Sequence, residues 1–273
     1  MTLDLYPLRF HFTALDAIRF PRGRPGNILR GGLGTALRRV AGEAEYARLF
    51  APASASGPSG LADPPRPFVL RARHLDDRTF APGEAFEFQV NLFDLRENAV
   101  AAFTRAFAEL ARLGMGPGRG RAALARVDVP GEPVRLALDP PGEAVRRIRG
   151  DFLTPTELKP AGPPGFGVLF ARVRDRISTL RALYGPGPAA IDFQAAGERA
   201  AAVSLVRCEI QTVAAERRSS RTGEVHPMGG FTGTAEYEGD LSEFVPWIEA
   251  AAFTGVGRHT VWGNGEIRTT RLR

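Results

Sequence analysis

Arginine and histidine are the side chains of this sequence whose type and spacing could support chemistry. They stand together in the stretch from Thr254 to Arg268, which reads TGVGRHTVWGNGEIR. Glycine permits positive φ and a close approach of backbone N–H groups to a flat or anionic ligand, and a guanidinium beside an imidazole suits phosphate. The structural alternative is a glycine-rich hairpin connection with two incidental polar residues. The residues concerned are Gly255, Gly257, Gly263, Gly265, Arg258 and His259.

A second basic stretch also combines arginine with histidine. It connects two predicted strands and contains Arg217, Arg218, Arg221 and His226. A run of charge between strands is most often a solvated hairpin tip. Because a histidine follows the arginines and the glycine-rich stretch is expected nearby in the fold, we favour an RNA-binding hairpin.

The histidines do not follow a metal-binding pattern. His11, His74, His226 and His259 show no HxH or HExxH spacing, and Cys208 is the only cysteine. We therefore expect neither a metal site nor a disulfide within the chain. The sequence GVGRHT lacks the third glycine of the dinucleotide fingerprint, and the chain has no P-loop and no GxSxG motif. We expect no cofactor.

Metal-free RNA cleavage is chemistry that histidine and arginine can perform together. The ribose 2′-OH attacks the adjacent phosphorus, a base takes its proton, and an acid protonates the leaving 5′ oxygen. Cations stabilise the charge that develops on the phosphorane. Tyr46 and Trp262 could stack on bases, although burial in a core is the commoner role of such aromatic residues.

Length and charge bound the class of protein. A chain of 273 residues suits two domains of ordinary size. The net charge of +6 and the pI of about 10.3 favour an anionic partner. Lys159 is the only lysine among 36 basic residues. Arginine binds phosphate better than lysine does, because its guanidinium can donate two hydrogen bonds at once. Genomic base bias also enriches arginine, however. The sequence shows no apolar signal core and no run long enough to span a bilayer, so we expect a soluble, cytoplasmic protein.

The predicted elements repeat as β-α-β-β-α-β in each half of the chain. This order is typical of a ferredoxin-like unit, so the sequence predicts an α+β protein of two tandem ferredoxin-like (RRM-like, βαββαβ) domains, at residues 1–140 and 141–273. A glycine- and arginine-rich loop follows the second helix of each half, and the first such loop contains Arg119 and Arg121. The predicted strands are 5–20, 68–73, 85–92, 122–129, 144–153, 200–214, 230–237 and 266–272, and the predicted helices are 29–40, 100–113, 167–184 and 241–253.

Four stretches in chain order carry a resemblance to a known family. They are ILRGGLGTALRRV at 28–40, GMGPGRGRAAL at 114–124, FLTPTELKPAG at 152–162 and the glycine-rich close at 230–268. With these, the chain resembles the CRISPR-associated precursor-RNA-processing endoribonucleases of the RAMP (repeat-associated) superfamily over most of its length. The resemblance implies two ferredoxin-like domains that bind CRISPR repeat RNA and cleave it without metal beside a stem-loop. It also implies that the glycines of the C-terminal loop contact RNA.

The chain departs from this family at the first helix. Family members often carry a catalytic histidine there, whereas residues 27–50 contain no histidine. The resemblance therefore implies an active site elsewhere, with His226 or His259 as the catalytic histidine and Arg30 or Tyr46 assisting, or no catalysis. The alternative function is an inactive RAMP RNA-binding subunit of a CRISPR effector complex. Other effector subunits and a second copy of the chain remain open as partners.

Overall fold

The computed structural model describes residues 1–52, 64–95, 99–160, 162–218 and 225–273. The chain forms two compact units. The N-terminal unit consists of Asp4–Val134 together with Val261–Gly263, and the C-terminal unit consists of Met1–Leu3, Arg135–Thr260 and Asn264–Arg273. The predicted domain boundary near residue 140 stays a prediction.

In its described residues, the N-terminal unit contains an antiparallel sheet and three helices. Its main sheet has the order β3-β5-β1-β6, and β7 also pairs with β1. Counted along the chain, the four principal strands lie in the order second, third, first and fourth, which is the ferredoxin-like arrangement. The elements are β1 (Thr2–Ala14), β2 (Ile18–Phe20), α1 (Pro25–Val40), α2 (Glu43–Phe50), β3 (Phe68–Arg71), β4 (Arg78–Phe80), β5 (Ala85–Leu92), α3 (Ala99–Leu113) and β6 (Ala122–Asp128). The next strand, β7 (Val134–Ala137), belongs from Arg135 onward to the C-terminal unit.

Phenylalanine rings from β1, β5 and α3 form the centre of this core. Leu8, Phe10 and Phe12 alternate along β1 and are fully or almost fully buried. The ring of Phe10 lies 4.6 Å from that of Phe107 on α3, centroid to centroid. The period-two pattern of β1 therefore decides which face of the sheet the helices cover.

The C-terminal unit repeats the arrangement. Its sheet has the order β13-β8-β12-β9, which is fourth, first, third and second along the chain. A short ribbon of β10 and β11 lies between the second and third of these strands in sequence. The elements are β8 (Arg147–Thr156), α4 (Phe166–Tyr184), α5 (Phe193–Ala201), β9 (Ser204–Val213), β10 (Glu216–Arg218), β11 (Val225–Pro227), β12 (Gly230–Glu238), α6 (Val245–Thr254) and β13 (Ile267–Leu272).

The predicted α+β class and tandem ferredoxin-like fold are confirmed, with local corrections. The predicted strand 5–20 is two strands, because the chain turns between Ala14 and Ile18. Helices α2 and α5 have no counterpart among the predicted elements. Residues 200–201, predicted as strand, close α5, which begins where the Asp192 carboxylate accepts a hydrogen bond from the Ala195 N–H at 3.0 Å. Within the described ranges, no helix has the length and apolar character needed to cross a membrane.

Candidate nucleic-acid interface

The glycine loop after α6, residues 255–265, has the backbone that its composition predicted. Its four glycines all take positive φ, and His259 joins them with φ of 63°. Glycine adopts this region without steric cost, whereas a residue with a Cβ does so rarely. The prediction of positive φ is therefore confirmed. The values are 68° for Gly255, 77° for Gly257, 84° for Gly263 and 69° for Gly265.

The same glycines allow the loop to pack closely on its own chain. A Cβ at Gly257 would lie 2.3 Å from the Glu157 carbonyl oxygen, and one at Gly265 would lie 2.0 Å from the Val256 carbonyl oxygen. Real Cβ atoms do not approach so closely. The space that the sequence suggested for a ligand at these two positions is thus filled by backbone, and the glycines first of all build the loop.

The loop rests on the segment Thr154–Leu158, the end of β8 and the two residues after it, which we call the seat. Gly265 N–H donates to the Pro155 carbonyl at 3.0 Å, and Arg258 N–H donates to the Glu157 carbonyl at 3.3 Å. Glu266 N–H donates to the Thr154 hydroxyl at 2.9 Å. The stretch FLTPTELKPAG and the glycine loop, two motifs about a hundred residues apart in sequence, are therefore one structure.

Arg258 and His259 meet over the side chain of Glu157. Arg258 Nη1 lies 3.2 Å from Glu157 Oε1, and His259 Nε2 lies 3.6 Å from Glu157 Oε2. The Arg258 side chain is 59% exposed and that of His259 24% exposed. The loop thus presents a cation and an imidazole side by side, with a carboxylate behind both. Glu157 had no role assigned from the sequence.

The tip of the loop, Val261–Gly263, belongs to the N-terminal unit, where it meets Arg30. The Arg30 guanidinium lies 3.9 Å from the centroid of the Trp262 ring and 4.4 Å from that of Phe50. A guanidinium stacked on an aromatic face gains about 0.5–1 kcal/mol at an exposed site and more when desolvated. Trp262 is a protein-stacking residue here, which matches the structural alternative for this aromatic residue.

Tyr46 belongs to the same cluster. Its ring lies 5.5 Å from Phe50, which also contacts Arg30. The Tyr46 hydroxyl accepts a hydrogen bond from Arg38 Nη2 at 3.2 Å, and the Arg38 guanidinium lies 4.7 Å from the Tyr46 ring centroid. The structure therefore brings Arg30 and Tyr46 together through Phe50. Their assisting role in catalysis stays a prediction.

The first glycine/arginine loop holds Arg119 and Arg121 beside the turn after β1. Arg119 has φ of 48°, and its side chain is exposed. Arg121 Nε donates to Asp16 Oδ2 at 2.8 Å. This hydrogen bond, with a second from the Arg121 backbone, lowers the pKa of the Asp16 carboxyl. Arg121 is thus paired with a carboxylate, and its role in RNA binding stays a prediction.

The second basic stretch continues the β9–β12 hairpin. Val213 pairs with Gly230 and Glu216 with Pro227, so the same register runs through the break between the two ribbons. Met228 N–H donates to the Ala215 carbonyl at 2.8 Å across that break. Arg217 stands opposite His226 in the ladder. The predicted connection between two strands is therefore a hairpin arm, while Arg221 lies outside the described residues.

The other two histidines have structural partners. His11 Nε2 lies 2.7 Å from Asp128 Oδ2, and His74 Nε2 donates to the Glu87 carbonyl at 2.8 Å. Within the described part of the chain, no three His, Cys, Asp or Glu side chains are grouped so that they could hold a metal ion. The independence of metal that the sequence suggested stays a prediction about the reaction.

Comparison with known families covers both halves of the chain. A family model described as an N-terminal domain matches residues 3–141. The model described as the CRISPR-associated endoribonuclease Cas6 matches residues 151–267, which include the seat, the hairpin arm and the glycine loop. No curated protein sequence matches the chain at a significant level.

Solved structures share the fold over nearly the full length. The Cas6 of Thermus thermophilus, in a product complex, is 19% identical, with 97% of this chain and 99% of that chain covered and a TM-score of 0.63. Another Cas6, in a substrate-mimic complex, is 19% identical, with coverage of 97% and 99% and a TM-score of 0.53. A RAMP protein binding different RNA substrates is 11% identical, with coverage of 98% and 100% and a TM-score of 0.51.

Two ferredoxin-like units, the second closing with a glycine-rich loop after α6, give this chain the fold of the solved Cas6 and RAMP structures. The family model adds that residues 151–267 match the CRISPR-associated endoribonuclease Cas6, in agreement with the resemblance that the four sequence stretches carry.

Proposed function

We propose that the protein binds CRISPR repeat RNA and cleaves precursor crRNA without a metal ion, with His259 at the centre of the chemistry. The observation that supports this assignment is the pair Arg258 and His259, held side by side on a loop that is fastened to the seat at several points. Fixed donors and bases accelerate reactions because they need no reorganisation as charge develops. The loop lies inside the part of the chain that the Cas6 model matches.

The reaction balances without an external reagent. The 2′-oxygen of the ribose forms a bond to the adjacent phosphorus while the bond from phosphorus to the 5′ oxygen of the next nucleotide breaks. His259 accepts the 2′-OH proton, and a second group or water gives a proton to the leaving 5′ oxygen. Arg258 stabilises the phosphorane charge. The products are a 2′,3′-cyclic phosphate and a free 5′-OH.

The hairpin arm supplies a second contact to the RNA backbone in this proposal. Arg217 and Arg218 on β10, together with Arg221, offer guanidinium groups for phosphates, and His226 on β11 is the alternative catalytic histidine. Precursor RNA is a transcript, so we place the reaction in the cytoplasm. Neighbouring structures include one described as a partial Cas6-RT-Cas1–Cas2 complex, and we propose further CRISPR proteins as partners. A homodimer stays a prediction.

A cleavage assay tests the proposal. Purified protein in excess is incubated with repeat RNA from its own genomic neighbourhood in EDTA, and the products are resolved on a denaturing gel. We expect one discrete cut, abolished by a 2′-deoxy substitution at the cleaved nucleotide. Cleavage that requires added divalent metal would contradict the proposed chemistry.

The same assay decides the alternative function. An RNA that is retarded in a native gel but stays intact under all conditions would identify a RAMP RNA-binding subunit without catalysis. The absence of histidine from α1 and α2 motivates this alternative. If the protein neither binds nor cleaves the RNA, both functions are contradicted and only the assignment of the fold remains.

A further inference from the structure

We propose that Glu157 is a positioning residue of this endoribonuclease, whose carboxylate holds the imidazole of His259 and the guanidinium of Arg258 in the arrangement that cleavage requires. The inference rests on the proposed function, because it concerns the same histidine. It adds a residue that the sequence had left without a role.

Glu157 is placed by backbone contacts that do not depend on its side chain. Its carbonyl oxygen accepts the Arg258 N–H at 3.3 Å, and the absence of a Cβ on Gly257 lets that glycine lie against the same carbonyl. Its neighbour Pro155 accepts the Gly265 N–H at 3.0 Å. The position of the Glu157 Cα relative to the loop is therefore set by the main chain, and the carboxylate is an additional feature.

The carboxylate divides its two oxygens between the two functional side chains. Oε1 lies 3.2 Å from Arg258 Nη1, and Oε2 lies 3.6 Å from His259 Nε2. The Glu157 and His259 side chains are 27% and 24% exposed, so both are partly withdrawn from water, where charges interact more strongly than in bulk solvent. At 3.6 Å the Glu157 carboxylate lies beside the ring without a hydrogen bond to it, so we infer that it orients the imidazole through charge and contact.

The arrangement follows a general rule for activated groups. A catalytic base is commonly oriented by a third group that fixes its ring and its tautomer. His259 is additionally fixed by its backbone, with φ of 63°. The Glu157 carboxylate therefore determines the direction of the ring, whereas the loop determines its position.

The substitution Glu157→Gln isolates this role. It keeps the size of the side chain and the backbone contacts but removes the charge. With wild-type protein, Glu157→Gln, His259→Ala and the double variant, we measure single-turnover cleavage of repeat RNA in EDTA, RNA affinity and thermal stability. We expect Glu157→Gln to cleave about 10- to 100-fold more slowly, since misplacement of a catalytic group by about 1 Å can cost about 100-fold, with RNA affinity and Tm almost unchanged.

The double variant separates positioning from a general structural effect. If Glu157 acts through His259, the Gln substitution has no further effect on the rate once His259 is alanine, because the two effects are not additive. Glu143→Gln is the matched control in the same unit, since the Glu143 carboxylate is paired with Arg271 at 3.0 Å. We expect the control to cleave at the wild-type rate.

The outcomes distinguish the two proposals. Wild-type protein that cleaves RNA, together with a Glu157→Gln variant that cleaves equally fast, would overturn the positioning role and leave the proposed function standing. Additive losses in the double variant, or a variant that changes only RNA affinity, would also overturn it. A wild-type protein that leaves the RNA intact would overturn the proposed function and the positioning role together.

Discussion

His259 has an unusual backbone as well as a reactive side chain. The non-glycine residues with positive φ in the described ranges are Asp77, Arg119 and His259. Two of these three lie in the two glycine/arginine loops that follow α3 and α6. Such conformations typically cost about 1–3 kcal/mol and persist where the surrounding structure enforces them. For His259, the hydrogen bonds between the glycine loop and the seat hold the backbone in this conformation.

The two candidate histidines can be separated by single substitutions. We expect His259→Ala to reduce single-turnover cleavage by about 10²- to 10⁴-fold, the range typical of lost general acid–base catalysis, with RNA affinity changed little. His226→Ala is the counterpart on the hairpin arm, and we expect a smaller loss. A large loss in His226→Ala with His259→Ala unaffected would move the chemistry to the arm.

Asp16 links the stability of the first glycine/arginine loop to pH. The hydrogen bond from Arg121 lowers the pKa of Asp16 in the folded protein, so its contribution to stability is present above the unfolded pKa, about 3.9, and is lost as pH falls through the folded pKa. We expect Asp16→Asn to reduce the acid-side fall in stability, measured by urea unfolding between about pH 5 and pH 2. A wild-type pH profile in the variant would contradict this linkage.

Helix α1 shows how one element can contain glycines with opposite functions. A Cβ at Gly32 would lie 2.4 Å from Leu110 of α3, whereas one at Gly31 would meet nothing within 4 Å. The close contact at Gly32 is the crossing of α1 and α3. Of these two glycines, only Gly32 is required for the contact between α1 and α3.

These two glycines form a matched pair for mutation. We expect Gly31→Ala to stabilise the protein by about 0.5–1 kcal/mol, because alanine is the better helix former. We expect Gly32→Ala to destabilise it by about 1–3 kcal/mol through overpacking against Leu110. Denaturant unfolding followed by circular dichroism measures both, and equal effects of the two variants would contradict the packing argument.

The elements show what the sequence could and could not predict. Periodicity and turn residues give the strand and helix order, since both depend on neighbours within a few residues. They do not give the partners of the arginines on α4. Arg181 is buried, and Arg176 Nε donates to the Thr254 carbonyl at the end of α6 at 2.7 Å. An end carbonyl of a helix needs a donor, and the helix that supplies one lies elsewhere in the sequence.

The candidate site likewise combines features that the sequence predicted with features that it did not. The positive φ of the loop glycines followed from residue type, whereas the role of Glu157 did not. Its contacts to Arg258 and His259 span about a hundred residues of sequence, and a glutamate in a loop carries no local signal for such a partner.

On the scale of the whole molecule, the positive charge predicts a salt-dependent affinity for RNA. Binding that neutralises phosphates releases counterions, so the logarithm of the association constant falls linearly with the logarithm of salt concentration. We expect Arg217→Ala with Arg218→Ala to reduce this slope by about one for each phosphate that the variant no longer neutralises. Filter binding at several salt concentrations measures it. Arg199→Ala is the control, because Arg199 Nε is paired with Glu243 at 2.6 Å, and we expect the wild-type slope.

The membership of Val261–Gly263 in the N-terminal unit has a consequence for synthesis on the ribosome. The unit's continuous part ends at Val134, but Val261 belongs to its buried core and Trp262 packs against that core. The nascent unit therefore waits for about 125 further residues, roughly 6 to 25 s at 5–20 residues per second. During this interval Arg30 has no indole to stack on, and the site for Val261 stays unfilled. A segment translated after most of the second domain thus completes the first, and nascent chains that stop before Val261 should be the ones that chaperones and proteases engage.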